Sequence, residues 1–178
     1  MQRARLAGAV LEGAHLEQAH LEEARGPKVN FDGAWAAWVK MAKVVMPGAE
    51  FVGAHLYNAH LVGSQLSRAL FQGADLRWVE AHQARMEKAF LEGVRLGNAD
   101  LSEAVLEGAQ LFEADLRGAV LAATDLRGAN LRRADLRGAD LTGADLTGAE
   151  YNRRTRWPRG FHPDEHGAVS GSRHDQPG

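Results

Sequence analysis

The chain of 178 residues contains no cysteine. It can therefore form no disulfide framework, thiolate nucleophile or cysteine-based metal site, a composition typical of a protein in a reducing cytoplasm. It also lacks the apolar run of about 18 residues that a membrane-spanning helix requires. Residues 1–11 lack the continuous apolar core of a signal peptide. We therefore expect a cytoplasmic protein that has no contact with a membrane.

The chain has little excess charge of either sign, with a formal net charge of -2. A near-neutral chain has no global attraction for nucleic acid, so we expect no direct nucleic-acid binding. Residues 1–150 contain 20 Asp and Glu against 16 Lys and Arg, a difference of 4. Several carboxylates stand two positions before an arginine, as in Asp115 with Arg117 and Asp125 with Arg127. These pairs neutralise one another, so no strongly acidic stripe is evident.

A large apolar residue stands at nearly every fifth position from Leu6 to Tyr151, and Gly26, Ala36 and Ala81 are the exceptions. Of these 30 positions, 20 are Leu, three are Phe, three are Met and one is Tyr. Two residues before them 23 positions are Ala, and two residues after them 14 are Gly. A fixed short period over most of a chain is the signature of a solenoid.

A period of five matches neither a helix nor a flat strand, and it requires a corner in the backbone every five residues. The Ala is small enough to point inward near a corner, the Leu fills the interior, and Gly adopts the positive φ of type II turns. Phe31, Phe51 and Phe71 recur at 20, which predicts four faces per coil. Successive coils should lie about 4.8 Å apart, the spacing of paired strands, and thirty units give about 7.5 coils.

The units around Asp125-Leu126, Asn130-Leu131 and Asp135-Leu136 resemble the motif of the pentapeptide-repeat family. The resemblance covers about residues 4–153 and implies an all-β fold, a right-handed quadrilateral β-helix. The N-terminal half departs from the motif, because His, Arg, Val or Trp often replaces the Asp. The residues from Trp157 to Pro163 are similar to the Trp-Pro-x-Gly-Phe-x-Pro tail that follows many bacterial arrays of this family.

The periodicity divides the chain into three parts: a solenoid over 1–153, a C-terminal cap over 154–167 and a disordered tail over 168–178. In the cap, Trp157 and Phe161 are predicted to cover the last layer of the core. Residues 26–45 are interpreted either as an irregular coil in register or as a short inserted helix, and the unbroken phase favours the coil. The core is predicted to contain Leu11, Phe31, Phe51, Phe71, Leu91, Leu116 and Leu136.

Neither carboxylates nor histidines form a site that suggests catalysis. Paired carboxylates point outward on a filled rod that offers no concave pocket. His15 and His55 share a column, but one whole coil separates them, which is too far for a shared metal ion. We therefore predict no catalytic, metal or cofactor site and expect a protein that is not an enzyme.

Outward aromatic and apolar residues are the feature that the repeat does not explain. One group lies on the second face and another on the third face or its corner, and both are candidate partner-binding residues because exposed apolar patches mark interfaces. The alternative is that these side chains fold over irregular coils or under the tail. The second-face group is Val52, Leu70, Phe90 and Phe112, and the third-face group is Trp35, Trp38, Tyr57 and Trp78.

The sequence therefore predicts a non-enzymatic protein-binding solenoid. The family resemblance implies a bacterial protein that binds DNA gyrase or topoisomerase IV and protects it from inhibitors, by DNA mimicry in some members. The alternative is a structural or regulatory scaffold with an unrelated protein partner. Because the repeats begin at Ala4 without a cap, end-to-end homodimerisation through the first coil is a further hypothesis.

Overall fold

The computed structural model describes residues 3–171, and its backbone repeats one local shape every five residues. A small residue and a large apolar residue point inward, and the residue between them forms a single parallel bridge to the next coil. A tight turn follows, closed by a hydrogen bond such as that from the Ala9 N–H to the Leu6 carbonyl at 2.8 Å. One period is thus a short extended segment followed by a corner.

Successive coils stack in register at a separation of 20 residues, from the bridge between Arg5 and Arg25 to the bridge between Asn130 and Glu150. Each bridge contains two hydrogen bonds. The Leu6 N–H donates to the Arg25 carbonyl at 2.7 Å, and the Arg25 N–H donates to the Ala4 carbonyl at 2.8 Å. Four such ladders run along the molecule, one on each face. The fold is the right-handed quadrilateral β-helix that the sequence predicted.

Residues 26–45 form a coil in register with its neighbours, without an inserted helix. Within this coil the sizes at the inward positions differ from the rest of the repeat: Ala36 stands at a central position, Val39 at a position that is usually Ala, and both are buried. Gly26 takes the place of a large central residue for a local reason. A Cβ atom there would lie 2.3 Å from the backbone nitrogen of Ala7, closer than any real contact. The coil is therefore regular in backbone and unusual only in side chains.

The corners explain the recurring glycines. The third residue of every repeating turn from Arg3 to Gly148 has a positive φ, between 53° and 73°. Glycine adopts this conformation without steric cost, whereas residues with a Cβ are disfavoured there. Sixteen of these positions nevertheless carry a residue other than Gly, among them Trp38 and Trp78.

The core consists of inward Leu and Phe columns lined by Ala. The rings of Phe31, Phe51 and Phe71 form one continuous stack. Of the predicted core residues, all except Leu11 are buried. Leu11 is half-buried because it belongs to the first coil, where only one neighbouring coil covers it.

The repeat changes register at the C-terminal end. Asp135 bridges Arg156, a separation of 21 residues instead of 20. Asn152 and Thr155 are buried at this corner, and the Thr155 hydroxyl donates to the Leu131 carbonyl at 3.0 Å. The extra residue therefore moves Tyr151 out of the central position that its phase predicted, and its side chain is only half-buried.

A cap follows this corner and closes the last layer. Trp157 lies edge-on to Tyr151 at 5.6 Å between ring centroids and stacks on Phe161 at 5.3 Å. The Tyr151 hydroxyl donates a hydrogen bond to Asp164 at 2.6 Å. The cap contains a short 3₁₀ helix at Pro163–His166.

The chain after the cap returns to the solenoid. Strand β1, Glu150–Tyr151, pairs in parallel with strand β2, Val169–Ser170. We expected disorder from residue 168 onward, whereas residues 168–171 pack as a further edge of the last coil, with Ala168 buried. Pairing of β2 with the otherwise open edge of β1 accounts for the difference. Residues 172–178 of the predicted tail lie outside the described residues.

At the opposite end, Leu6, Leu11 and Leu16 are half-buried against the core of the second coil. End-to-end dimerisation there stays a prediction. Over residues 3–171 the structure contains no helix of the length and apolar character needed to cross a membrane.

Candidate partner-binding surface

Large apolar side chains on the outside of the rod are exceptions to an otherwise polar surface. Because the two inward positions of each unit form the core, an outward apolar residue contributes little to it. The exposed members are Val10, Trp35, Trp38, Val52, Tyr57, Trp78, Phe90, Val120 and Val169.

On the third face, Trp35 lies between two histidines of its ladder. Its ring is stacked on His55 at 4.1 Å between centroids and lies parallel to His15 at 6.3 Å. Half of the Trp35 side chain stays accessible, with 48% relative exposure. The tryptophan separates the two histidines, as the 20-residue columns predicted. The described residues contain no cluster of His, Asp and Glu that could hold a metal ion.

At the adjoining corner, Trp38, Tyr57 and Trp78 are exposed together. Trp38 contacts Tyr57 edge-on, with 6.4 Å between ring centroids. The guanidinium of Arg77 lies over the Tyr57 ring at 5.7 Å. With Trp35, these three residues are called the aromatic surface below.

The backbone beneath this corner is strained. Trp38 and Trp78 both have a φ of 60° and occupy the turn position that Gly fills in many other units. A left-handed residue with a Cβ costs on the order of 1 kcal/mol relative to its ordinary conformation. Both side chains are about half exposed, at 50% and 52%, so core burial does not offset the strain. The same left-handed backbone occurs at fourteen further positions that carry a residue other than Gly, so the strain belongs to the repeat and does not by itself mark a functional position.

A groove of about 270 Å³ runs beside the aromatic surface toward the fourth face. The two histidines that line the groove each contact a carboxylate: His20 is 2.9 Å from Glu22 and His60 is 2.9 Å from Glu80. Its lining residues are Gln18, His20, Trp38, Lys40 and His60. The groove is therefore shallow, and its polar side chains lie along the edge of the aromatic surface.

The second-face group does not form one patch. Leu70 and Phe90 bridge one another on successive coils and are direct neighbours. Val52 and Phe112 share a corner column, but Gln72 and Glu92 lie between them. Leu70 and Phe112 are half-buried, whereas Val52 and Phe90 are exposed. The four residues therefore divide into a small central pair and two separate corner residues.

Charges on the rod are arranged as local pairs. The Arg117 guanidinium donates two hydrogen bonds to Asp115, both at 2.7 Å, and Arg127 binds Asp125 in the same way. The Arg117 guanidinium holds the pKa of the Asp115 carboxyl below its usual range. The fourth-face ladder contains the carboxylates of Glu80, Asp100 and Asp140, but Val120 interrupts them and Lys40 lies on the same ladder. The surface is consequently mottled rather than acidic along one face.

The sequence identified the exposed aromatics and their column neighbours but not the contacts that the rings make. The 20-residue columns ruled out a metal ion shared by His15 and His55 and placed Trp35 between them, and the structure adds that the Trp35 ring stacks on His55. The signal for this arrangement in the sequence was the spacing of 20 residues between His15, Trp35 and His55. Arg77 and Tyr57 are also 20 residues apart, so the periodicity places them on the same column of neighbouring coils, but it does not show that the guanidinium lies over the ring.

The fold and repeat define a solenoid protein of a known family. The family model described as pentapeptide repeats (8 copies) matches residues 4–41, 49–87, 82–118 and 114–150. The chain therefore belongs to the pentapeptide repeat family.

Solved structures include similar proteins. The chain is 36% identical to alr5209, a pentapeptide repeat protein from Nostoc PCC 7120, over 60% of this chain and 84% of that chain, with a TM-score of 0.48. HetL, involved in heterocyst differentiation regulation in the cyanobacterium Nostoc sp. strain PCC 7120, is 26% identical, with 84% and 87% coverage and a TM-score of 0.38. QnrB1, a plasmid-mediated fluoroquinolone resistance protein, is 17% identical, with 94% and 92% coverage and a TM-score of 0.41. No curated protein matches the chain.

Proposed function

We propose that the protein is a non-enzymatic solenoid that binds another protein through the aromatic surface. The observation that supports this most strongly is the pair Trp38 and Trp78, large aromatic side chains that are about half exposed on one edge of the rod. Trp and Tyr are the usual energetic anchors of protein interfaces, because they bury large area with few rotatable bonds.

Charge around the surface favours a protein over a nucleic acid. A single-strand binding platform combines stacking aromatics with a positively charged groove. Here the cations Lys40 and Arg77 stand among the carboxylates of Glu17, Glu22 and Glu80. A mixed, near-neutral rim around exposed aromatic rings is the composition of a protein–protein interface.

The left-handed backbone at Trp38 and Trp78 makes Gly a substitution that the fold should accept, and this gives a selective test. Replacing Trp38 and Trp78 by Gly together removes two anchors and relieves two left-handed turns, so the fold should be retained. The matched control replaces Lys43 and Gln83 by Gly, which occupy the same turn position one corner further along the same coils. Proteins captured from the source organism by the wild-type chain would be identified, purified and titrated by calorimetry.

We expect a partner that binds the wild type and the Lys43/Gln83 control alike and binds the Trp38/Trp78 variant at least tenfold more weakly. Equal affinity of all three proteins for every purified partner would contradict the proposal. Circular dichroism on each variant separates a binding effect from a folding effect.

A narrower proposal is that the partner is a type II topoisomerase, DNA gyrase or topoisomerase IV, which the protein protects from inhibitors. Its support is membership of the pentapeptide repeat family. The test is a supercoiling assay with purified gyrase, with and without a fluoroquinolone. Protection that the Trp38/Trp78 variant loses would support it, whereas neither rescue nor inhibition at micromolar protein would discard it.

The alternative partner class is an unrelated protein for which the solenoid acts as a structural or regulatory scaffold. The mottled charge favours this alternative over DNA mimicry, because the carboxylates of Asp115, Asp125 and Asp135 are held by neighbouring arginines. A purified partner that depends on the aromatic surface, together with a negative gyrase assay, is the result expected for a scaffold.

A further inference from the structure

We propose that a second contact point of the same protein-binding function lies at the C-terminal end and takes an acidic segment of the partner. It is the corner formed by Arg132, Arg133, Arg153 and Arg154, here called the arginine corner. This inference rests on the proposed function, since it supposes a protein partner. The aromatic surface is on a different corner of the rod and in the N-terminal half, so the two contact points are separable.

The register change builds this corner. With Asp135 bridged to Arg156, the pair Arg153–Arg154 lies on the same corner as Arg132–Arg133, one coil further along. Two adjacent arginines therefore stand above two adjacent arginines at a spacing of about 4.8 Å. Without the extra residue at this turn, the second pair would sit one position off the first.

Buried polar groups fix the backbone beneath the arginines. The Asn152 side-chain oxygen accepts hydrogen bonds from the Arg154 N–H at 3.0 Å and the Arg133 N–H at 3.3 Å. Thr155 anchors the end of the turn to Leu131. Unlike the repeating turns, this one does not place its third residue at positive φ. Because these hydrogen bonds already fix the backbone of the turn, little backbone entropy is lost when the arginines bind a ligand.

The cations at this corner outnumber the anions that neutralise them. Arg133 is paired with Glu113, Arg132 lies 3.5 Å from Glu150, and Arg156 lies 3.5 Å from Asp135. Neither Arg153 nor Arg154, both exposed, has an ion pair among residues 3–171. Arginine stays protonated at every physiological pH, so the excess charge is permanent.

An open cleft of about 600 Å³ gives these guanidinium groups a place to act together. Four arginines and two carboxylates line it, namely Glu113, Arg133, Asp135, Arg153, Arg154 and Arg156. Guanidinium groups bind carboxylates through two parallel hydrogen bonds, as Arg117 binds Asp115 elsewhere on the rod. An incoming Asp or Glu side chain would complete the same arrangement for Arg153 and Arg154.

Two features favour an acidic protein segment over a phosphate polymer. Glu113 and Asp135 within the cleft would repel a continuous line of phosphates, whereas a peptide can place its charges between them. Phe112 is half-buried beneath the Arg133 guanidinium, 5.5 Å from ring centroid to guanidinium carbon. An aromatic ring beside arginines offers apolar contact to a peptide side chain.

The test uses the full chain and a fluorescein-labelled peptide with alternating Glu, Asp and Phe residues. The matched peptide has Gln and Asn in place of Glu and Asp, and a single-stranded DNA oligonucleotide and inorganic phosphate serve as other anions. Fluorescence anisotropy gives affinities at low and high salt. Arg153→Gln with Arg154→Gln is the test variant, and Arg25→Gln with Arg68→Gln is the control that removes equal charge elsewhere.

We expect the acidic peptide to bind the wild type and the Arg25/Arg68 control, to lose affinity with salt, and to bind the Arg153/Arg154 variant roughly tenfold more weakly. Equal binding of the amide peptide, equal affinity of both variants, or tighter binding of DNA at the same corner would each overturn the proposal. The Trp38/Trp78 variant should bind the acidic peptide like the wild type. Failure of the peptide test therefore leaves the aromatic surface as a separate question.

Discussion

The rings of Phe31 and Phe51 are stacked with 4.8 Å between their centroids and 4° between their planes. Phe51 and Phe71 repeat this geometry at 4.8 Å and 2°. The distance is that between hydrogen-bonded strands, so the backbone ladders set the ring spacing. Phe51 is therefore the ring of the three that has an aromatic neighbour on both sides.

Truncation of this central ring should be costly. Phe51→Ala leaves a cavity between two buried rings and is expected to lower the free energy of unfolding by about 3–5 kcal/mol. Phe51→Leu should cost only about 1.5 kcal/mol, because Leu91 and Leu111 occupy the same column further along. Urea unfolding followed by circular dichroism measures both. An alanine variant as stable as the leucine variant would contradict the packing argument.

Removal of a buried hydroxyl should stabilise the protein. Ser64 occupies a position that is mostly Ala in the repeat, and its hydroxyl is buried without a hydrogen-bond partner in the described chain. Ser64→Ala is expected to raise the free energy of unfolding by about 1 kcal/mol. Thr124 is the comparison, since its hydroxyl donates to the Leu101 carbonyl at 2.8 Å. Thr124→Ala should therefore lower stability by a similar amount, and the same sign for both variants would refute this reading.

Neighbouring alanines should respond to glycine with opposite signs. Ala123 has a φ of 55°, so Ala123→Gly relieves steric strain and should stabilise the protein by about 0.5 kcal/mol despite the added freedom of the unfolded chain. Ala122 precedes it in the same turn and is outside the left-handed region. Ala122→Gly should destabilise by about 0.5–1 kcal/mol. Melting temperatures of the two variants, measured side by side with the wild type, show whether the two effects on stability have opposite signs.

Stability should fall in acid because of the Asp–Arg pairs. Arg117, Arg127 and Arg137 each hold the pKa of the preceding Asp carboxyl below its ordinary value of 3.8. A lowered pKa in the folded state gives stability that is complete above the unfolded pKa and is lost as pH falls through the folded pKa. The melting temperature should therefore decline below about pH 4.

A variant isolates this contribution from general acid effects. Arg117→Gln with Arg127→Gln removes the main cause of two of the shifts, so its melting temperature should decline less steeply below pH 4. Arg68→Gln, at an exposed arginine without an ion pair among residues 3–171, should retain the wild-type slope. If the melting temperature of all three proteins declines equally steeply below pH 4, the Asp–Arg pairs do not cause the loss of stability in acid.

The fold followed from the sequence because one period determined nearly every inward position. The phase through residues 26–45 predicted the coil, and the recurrence of Phe31, Phe51 and Phe71 predicted the ring stack. The register change at Asn152 could not be predicted in this way. Tyr151 continues the apolar phase, whereas the residue that is buried at this corner is a polar Asn held by backbone hydrogen bonds. Hydropathy does not encode such bonds.

The candidate surface was predicted only in part, because the five-residue period determines which residues point outward but not which residues they contact. The phase places Trp35, Trp38 and Trp78 outward, and the structure has each of them about half exposed. It does not reveal that Trp35 stacks on His55, nor that polar residues separate Val52 from Phe112. Contacts between coils depend on side-chain directions, which a repeat with variable outward positions leaves open. The partner-binding roles of these residues stay predictions.

Because each ladder joins residues that are 20 apart, the sequence separation of two outward residues determines both the edge of the rod on which they lie and their distance along it. Trp38 and Trp78 share an edge because their separation, 78 minus 38, is twice 20. Inserting one five-residue unit between them would rotate every later side chain by a quarter of the circumference and move Trp78 to another edge. Inserting twenty residues would keep the edge and only lengthen the rod by about 4.8 Å. Length changes in steps of twenty are therefore the ones that such a binding surface can tolerate.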